Sequence, residues 1–262
     1  MNKPLTNPLQ ICEVFHLEFL RWFARKLEAN RYVLKGGVNL RLFFKSIRYS
    51  EDMDIDLTGV RVDKVKKTVM EILEARGFSA SLKSFGIERI VSPNLTRAKQ
   101  TETTQRFKIH LLTAAGEDLF TKIEFLRRGL KESQVVEAVS SEILRAYKMA
   151  PLLVSHYDAA SAVAQKIHAL AERSVLEARD IFDLFVLSSQ YEESKRSKIE
   201  VSRKILKTAY DNIFRIEFPR FRDTVVAYLE AEDQKAYSSP AIWDEIKLKT
   251  AHFLEEFKNE NK

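Results

Sequence analysis

The sequence of 262 residues contains a single cysteine, Cys12, so no intramolecular disulfide can form and nothing points to an oxidising compartment. It has little that resembles a secretion signal, because the N-terminal stretch MNKPLTNPLQ lacks an apolar core. No uninterrupted apolar run approaches the ~20 residues that a membrane-spanning helix needs. These absences exclude a disulfide-stabilised secreted domain and an integral membrane protein, and they predict a soluble, cytoplasmic protein with no membrane partner.

Glycine and proline are scarce, with 7 and 6 residues, whereas hydrophobic residues make up 45% and charged residues 31% of the chain. This composition is ordinary for a globular protein with a substantial core. Lysine and arginine number 43 against 37 aspartates and glutamates, which gives a net charge of +6. That excess permits binding of nucleotides or nucleic acid without demonstrating it.

The first 150 residues mix helical and strand-like patterns, separated by turn signals. Apolar spacings of three and four predict helices, and alternation of polar and apolar residues predicts strands. The predicted helices are 9–29, 38–45 and 62–75, with Gly77 as a stop, and the predicted strands are 31–34, 52–57, 78–85, 105–114, 120–128 and 133–140.

Beyond Pro151 the pattern is helical almost to the end of the chain. Helices are expected at 158–173, 178–189, 197–214, 218–231 and 240–258. The sequence therefore predicts an α+β protein, with a mixed α/β domain over residues 1–150 and a helical domain over residues 151–262.

Three aspartates alternate in DMDIDL, so Asp52, Asp54 and Asp56 share one face of a strand while the apolar residues between them face the core. A row of like charges costs stability, and a bound cation such as Mg²⁺ would turn that repulsion into coordination. A solvated edge strand explains the same pattern equally well. The triplet alone leaves both interpretations open.

Gly36 and Gly37 precede the helix before this strand. Glycine allows positive φ and close approach to a ligand, and a following helix N-terminus offers N–H groups to an anion such as phosphate. Ser50 could add a hydroxyl to that phosphate, or it could be an ordinary loop residue. Glu124, on a neighbouring predicted strand, could complete a metal site, or it could be a surface glutamate paired with a lysine.

These residues resemble the first motif of the AbiEii/AbiGii-type toxins, which belong to the polymerase-β-like nucleotidyltransferase superfamily. That motif is a glycine pair, a helix, an Arg-aromatic-Ser-Glu run and an Asp-x-Asp strand, filled here by LKGGVNLRLFF and RYSEDMDIDL. Residues 164–187, AQKIHALAERSVLEARDIFDLFVL, are similar to the family's Lys-x-x-Ala-Leu…Arg…Arg-Asp-x-x-Asp-Leu region. The resemblance in sequence covers residues 31–57, 120–128 and 158–187. Elsewhere only the overall architecture is similar.

The resemblance implies a polymerase-β-like fold, a small mixed sheet with helices, followed by a helical domain that closes the active-site cleft. It also implies transfer of a nucleotidyl group from an NTP, with Mg²⁺ or Mn²⁺, to an RNA acceptor, most simply tRNA, by a toxin that has a separately encoded antitoxin. The implied metal ligands are Asp52 and Asp54, with Glu124 or Asp56 completing the set. The implied catalytic residues are Asp52, Asp54, Lys166 and Asp180, and the implied nucleotide-binding residues are Gly36, Gly37, Ser50, Lys166, Arg173 and Arg179.

Lys166, Leu170 and Arg173 lie along one helical face, which could hold a triphosphate. Without the resemblance, a structural set of salt bridges with Asp180 and Asp183 explains these residues as well. Two basic stretches, 92–106 and 195–222, could contact a polynucleotide, although the phenylalanines of the second could simply form a core stripe. A nucleotide-binding regulator without transfer, and nucleotidylation of a protein or small-molecule hydroxyl, remain alternative functions.

Overall fold

The computed structural model describes residues 7–93, 98–127, 133–191 and 201–260. The chain divides into two compact units. The first unit contains the chain up to Asn39 and Tyr49–Tyr157, and the second contains Leu40–Arg48 and the chain from Asp158 onward. The division therefore falls after Tyr157, and a short segment before the aspartate strand is counted with the helical unit.

One seven-stranded mixed sheet forms the centre of the first unit within the described residues. Its strand order is β3-β4-β5-β2-β1-β7-β6, with β2 parallel to β5 and β1 parallel to β7. The strands are β1 Tyr32–Lys35, β2 Asp52–Leu57, β3 Ile87–Val91, β4 Thr104–Thr113, β5 Asp118–Leu126, β6 Gln134–Ala138 and β7 Leu153–Tyr157. The helices of the first half are α1 Pro8–Phe23, α2 Gly36–Phe43, α3 Val62–Leu73, α4 Arg76–Lys83 and α5 Ser141–Ala146.

The core of the first unit lies on one face of this sheet. Met53 and Ile55 of β2 are fully buried, and so is Phe125 of β5. Helix α1 packs on that face, with the Phe23 ring 5.4 Å from the Phe125 ring. Because side chains alternate along a strand, the polar residues of β2, β4 and β5 lie on the opposite face.

The strand predicted over residues 78–85 is wrong, because this segment forms helix α4. Phe78 and Leu82, four residues apart, are both buried, and Phe78 packs edge-on against Phe15 and Trp22 of α1. The alternation of FSASLKSF fits either structure, and packing against α1 decides for the helix. Gly77 lies inside α4 and does not end α3, and a Cβ there would lie 3.2 Å from the Trp22 ring.

Three elements of the first unit were not predicted. Strand β3, helix α5 and strand β7 all lie in stretches where the sequence analysis placed no such element. The most consequential is β7, which lies beyond Pro151 where only helices were expected. Its Val154 and Tyr157 are buried, and it pairs with both β1 and β6.

The second unit is helical, as predicted. Its further helices are α6 Ala159–Glu172, α7 Ala178–Ser188, α8 Arg203–Ile213, α9 Phe218–Thr224, α10 Ala231–Tyr237 and α11 Pro240–Glu260. The helix predicted over 218–231 is broken after Thr224 by a 3₁₀ turn at Val226–Tyr228. Part of the helix predicted over 197–214 lies outside the described residues. The described helices include none with the length and apolar character needed to cross a membrane.

The core of the second unit is aromatic. The Phe221 ring stacks on the Trp243 ring at 4.3 Å, and Phe182 packs beside Phe221. Phe221 is fully buried, whereas Phe214 is 47% exposed. The core-stripe interpretation of the phenylalanines in 195–222 therefore holds for Phe221.

Candidate active site

Gly36 connects β1 to α2 and lies directly against the aspartate strand. Its φ is +69°, a conformation that L side chains rarely adopt. A Cβ at this position would lie 3.1 Å from Oδ2 of Asp54. Both the turn and the close approach to Asp54 therefore require glycine.

Helix α2 begins at Gly36 itself, two residues earlier than predicted. The first N–H groups of a helix lack intrahelical partners, and this end of a helix favours an anion. Gly37 lies in this first turn. The glycine pair thus places a helix N-terminus next to the carboxylate of Asp54.

Strand β2 is internal to the sheet, between β1 and β5, so the alternative of a solvated edge strand is excluded. In the register, Asp54 lies opposite Lys35 of β1 and opposite Glu124 of β5. Asp52 lies opposite Lys122. The sheet therefore brings Asp52, Asp54 and Glu124 onto adjacent strands.

Most carboxylates of this face are paired with cations. Lys122 Nζ lies 2.7 Å from Asp52 Oδ2, and Arg106 Nε donates to Glu124 Oε2 over 2.6 Å. The surface-glutamate interpretation expected a lysine as the partner of Glu124, whereas the side chain of Glu124 is only 14% exposed and its partner is Arg106 across the strand pair. The charges of these side chains balance locally in the protein alone.

Asp56 is engaged differently, because it is buried and held from two sides. Tyr157 donates its hydroxyl to Asp56 Oδ2 over 2.8 Å. Lys35 Nζ lies 2.7 Å from Asp56 Oδ1. The two groups form an ion pair, but their geometry is not that of a hydrogen bond. These contacts give Asp56 a structural role that ties β2 to β1 and β7.

Asp54 differs from its neighbours, since within the described residues its side chain forms neither an ion pair nor a hydrogen bond. Burial raises the pKa of its carboxyl above the ordinary value, and the charges of Glu124 and Asp52 raise it further, while Lys35 and Lys122 oppose them. The protein alone therefore leaves the charge of Asp54 poorly compensated.

Ser50 donates its hydroxyl to the backbone carbonyl of Asp52 over 2.8 Å. This bond shapes the turn into β2. The serine thus has a local structural contact at the start of the acidic strand, and its predicted contact with a phosphate stays a prediction.

The residues of the second motif form a buried ionic network in the second unit. Lys166 Nζ lies 3.1 Å from Asp180 Oδ1 and 2.6 Å from Asp183 Oδ2. Arg173 Nε lies 2.8 Å from Asp180 Oδ2. Arg48 Nη2 donates to both oxygens of Asp183 at 3.1 Å. The predicted alternative of a salt-bridge set between packed helices is therefore present, with Lys166 at its centre.

Neighbouring charges favour the charged forms of Asp183 and Lys166. Burial alone would raise the pKa of Asp183, but Arg48 and Lys166 lower it below the ordinary value. Burial alone would lower the pKa of Lys166, but Asp183 and Asp180 raise it. Three cations and two carboxylates meet here, so the network carries one excess positive charge. Arg179, at the start of α7, is exposed.

Arg48, Arg106 and Lys122 balance the charge of the site carboxylates, a role that was not predicted for Arg48 or Arg106 and that pairs Lys122 with Asp52 instead of Glu124. Arg48 belonged to the quoted Arg-aromatic-Ser-Glu run, which was the only signal for it. Arg106 and Lys122 become visible only through the strand register. The basic residues Arg97, Lys195, Arg196 and Lys198 lie outside the described residues.

Among the described residues, no group of three or more His, Cys, Asp or Glu side chains is arranged to hold a metal ion. In the structure, Asp52 and Glu124 instead contact Lys122 and Arg106. The metal assignment of the sequence analysis therefore remains a proposal.

Solved structures with the same fold come from two bacteria. MenT4, a nucleotidyltransferase toxin from Mycobacterium tuberculosis H37Rv, is 19% identical, with a TM-score of 0.62 over 95% of this chain and 84% of that chain. A protein from H. pylori described as a nucleotidyltransferase is 19% identical, with a TM-score of 0.56 over 98% and 97%. JHP933 from Helicobacter pylori is 18% identical, with a TM-score of 0.54 over 98% and 94%. At these identities the likeness shows the fold.

No curated protein matches the chain in sequence. A protein-family model matches residues 18–259 of the chain. It describes the nucleotidyl transferase AbiEii toxins of type IV toxin–antitoxin systems. That match covers parts of both compact units and all the candidate site residues. The chain therefore belongs to the AbiEii family and is a nucleotidyltransferase, a toxin of a type IV toxin–antitoxin system.

Proposed function

We propose that Asp52, Asp54 and Glu124 hold a divalent cation, Mg²⁺ or Mn²⁺, and that the enzyme transfers a nucleotidyl group from an NTP to RNA. The observation that carries this proposal is the state of Asp54. The residue is partly buried, its carboxylate has no partner in the described residues, its pKa is raised by desolvation, and it lies beside the carboxylates of Asp52 and Glu124. A cation would compensate this charge.

The donor set fits such a cation. Carboxylate oxygens are the ligands that Mg²⁺ takes, commonly shared with the phosphates of a substrate. Lys122 and Arg106 would have to release Asp52 and Glu124, and both cations are partly exposed. When bound, the ion would polarise phosphate oxygens and lower the pKa of the acceptor hydroxyl.

The protein groups have separate tasks in this proposal. The first turn of α2, with Gly36 and Gly37, binds phosphate oxygens, and Ser50 assists. Lys166, Arg173 and Arg179 are proposed as nucleotide-binding residues of the second unit, with Asp180 fixing the position of Lys166. The acceptor hydroxyl attacks the α-phosphorus and loses its proton to solvent, a new O–P bond forms, the α–β phosphoanhydride bond breaks, and pyrophosphate leaves.

The acceptor is proposed to be RNA, and tRNA is the first candidate. The net charge of +6 supports an anionic acceptor, because lysine and arginine contacts to phosphates supply most of the non-specific affinity for nucleic acid. The family also implies a separately encoded antitoxin. Its identity and mode of neutralisation are separate questions.

The test is to incubate the purified protein with each of four α-labelled triphosphates, Mg²⁺, total RNA and total protein. The proposal predicts label in RNA of tRNA size, with one or two triphosphates preferred. Label in protein or in small molecules alone would contradict the RNA acceptor while leaving the nucleotidyltransferase assignment in place.

A further inference from the structure

An exposed aromatic side chain lies on the same face of the sheet as the carboxylates. Phe120 of β5 is 62% exposed, whereas the other β5 phenylalanine, Phe125, is fully buried on the opposite face. Single exposed apolar side chains are common on protein surfaces, so the exposure of Phe120 alone does not indicate a binding site. The residues next to Phe120 do indicate one.

The His110 ring of β4 lies directly across from Phe120 and stacks on it. The ring centroids are 4.6 Å apart and the planes are inclined by 22°. His110 Nε2 lies 2.5 Å from Asp118 Oδ1, which fixes the imidazole in this orientation. The two rings therefore form a preorganised aromatic surface at the end of the β4–β5 hairpin.

The next pair along the same face is cationic. Lys108 of β4 lies directly opposite Lys122 of β5. Lys122 is paired with Asp52, whereas Lys108 is exposed and forms no ion pair within the described part of the chain. Like charges directly across a strand pair are destabilising, and a bound anion would relieve that repulsion.

The third pair is Arg106 with Glu124, and Glu124 lies opposite Asp54 of β2. Residues two apart on a strand share a face, with steps of about 7 Å. One face of β4 and β5 thus carries, in order, an aromatic pair, a lysine pair and the edge of the carboxylate site. Gly36 and the first turn of α2 lie on the other side of β2, next to β1.

We propose that this face binds the unpaired end of the RNA acceptor, an inference that rests on the proposed function. A base stacks on Phe120 and His110, and a backbone phosphate lies between Lys108 and Lys122. The terminal hydroxyl then points toward Glu124 and Asp54. The phosphates of the NTP, at α2, approach the carboxylates from the opposite side of β2.

The occupant is single-stranded RNA because the aromatic rings are on the surface of a sheet. Bases within a duplex are already stacked and cannot lie on a protein ring, whereas unpaired bases stack on aromatic side chains of sheets. The adjacent lysines supply the backbone contact that such sites combine with stacking. The geometry therefore selects an acceptor with at least one unpaired nucleotide before its reactive hydroxyl.

The test measures stacking directly and without any triphosphate. A short RNA oligonucleotide carries 2-aminopurine in its unpaired 3′ segment, and its fluorescence is followed on titration with the full-length protein. Stacking on a ring quenches this fluorophore. We expect saturable quenching with the wild type and with Phe120→Trp, and loss of quenching with about 10-fold weaker binding for Phe120→Ala.

Matched controls separate this site from general effects. Leu153→Ala removes a 63% exposed apolar side chain from β7 and is expected to leave quenching and affinity unchanged. Lys108→Gln is expected to weaken binding and reduce the slope of log affinity against log salt by about one, whereas Lys67→Gln on α3 is expected not to. Thermal melts confirm that each variant is folded.

Several outcomes would overturn the inference. These are absence of quenching by folded wild type, unchanged quenching by Phe120→Ala, or equal quenching of an oligonucleotide whose 3′ segment is paired. Quenching by wild type that is retained in Asp54→Asn and lost in Phe120→Ala would support the inference even if no transfer to RNA were found. Failure of the proposed function is thereby distinguishable from failure of the stacking site.

Discussion

Gly36 shows how one residue can be required for both conformation and chemistry. Its positive φ disfavours any side chain, and the space that a Cβ would take lies 3.1 Å from Asp54 Oδ2. A methyl group there would press on the carboxylate that the proposed mechanism uses. The effect on backbone conformation and the effect on Asp54 can be separated, because Gly116 also has a positive φ but has no neighbour that an added Cβ would contact.

We therefore expect Gly36→Ala to lose about 1–2 kcal/mol of unfolding free energy through backbone strain, and also to lose transfer activity by displacing Asp54. Gly116→Ala is the matched control, since Gly116 has a φ of +84° and no atom within 4 Å of the added Cβ. Denaturant unfolding and transfer assays on both variants check this. Equal activity loss in the two variants would contradict a specific effect on Asp54.

Asp54 also has a predictable effect on stability. Its folded pKa is raised above the unfolded value, so the folded state favours the neutral acid. This contribution to stability is therefore present at low pH and is lost as pH rises through the folded pKa. Above that pH, without bound cation, the ionised carboxylate destabilises the fold.

Asp54→Asn is accordingly expected to raise the melting temperature by a few degrees at pH 7 in the presence of a chelator. The gain should shrink as pH falls toward and below the raised pKa. Melting curves of the two proteins across pH 4–8 measure this difference. A melting temperature gain that is independent of pH, or a loss at pH 7, would show that Asp54 is compensated within the protein.

At the scale of elements, the sequence predicted what depends on local periodicity. Burial of Met53 and Ile55 and the shared face of Asp52 and Asp54 followed from alternation, and most helices of the second unit followed from spacing. Strand register is set by partners distant in sequence, so the pairing of Arg106 with Glu124 could not be predicted. For the same reason, α4 was mistaken for a strand until its packing on α1 was known.

Helix α7 is joined to the segment before β2 by a buried ion pair, Arg48 with Asp183. Breaking such a pair leaves a buried charge without compensation and costs roughly 3–5 kcal/mol. We expect Arg48→Met to lose that much unfolding free energy in the second unit. Lys207→Met, which breaks the exposed pair with Asp211, should cost less than about 1 kcal/mol.

Denaturant unfolding of these two variants, followed by tryptophan fluorescence, measures the difference. Trp243 lies in the core of the second unit and Trp22 on α1 of the first. Equal and small losses in both variants would mean that Asp183 is satisfied by Lys166 alone.

At the scale of the whole molecule, the carboxylates of the first motif and the cations of the second motif belong to different units. The first unit carries the row of carboxylates, with Asp54 poorly compensated, and the second carries an ionic network in which Arg48, Lys166, Asp180 and Asp183 are buried and Arg173 is exposed. The proposed function uses the carboxylates as a cation site and the network as a phosphate site. The chain belongs to the AbiEii family of nucleotidyltransferase toxins.

We propose that Asp54 is a ligand of the catalytic cation, and the transfer activity of Asp54→Asn is the measurement that bears on this role. Labelled NTP, RNA and Mg²⁺ are incubated with the wild type, with Asp54→Asn and with Asp63→Asn, which changes an exposed carboxylate on α3. We predict that Asp54→Asn loses transfer by more than the roughly 10- to 100-fold cost of changing a residue that only supports a metal ligand. Asp63→Asn should retain full transfer. Transfer by folded Asp54→Asn within a few-fold of the wild type would contradict the account.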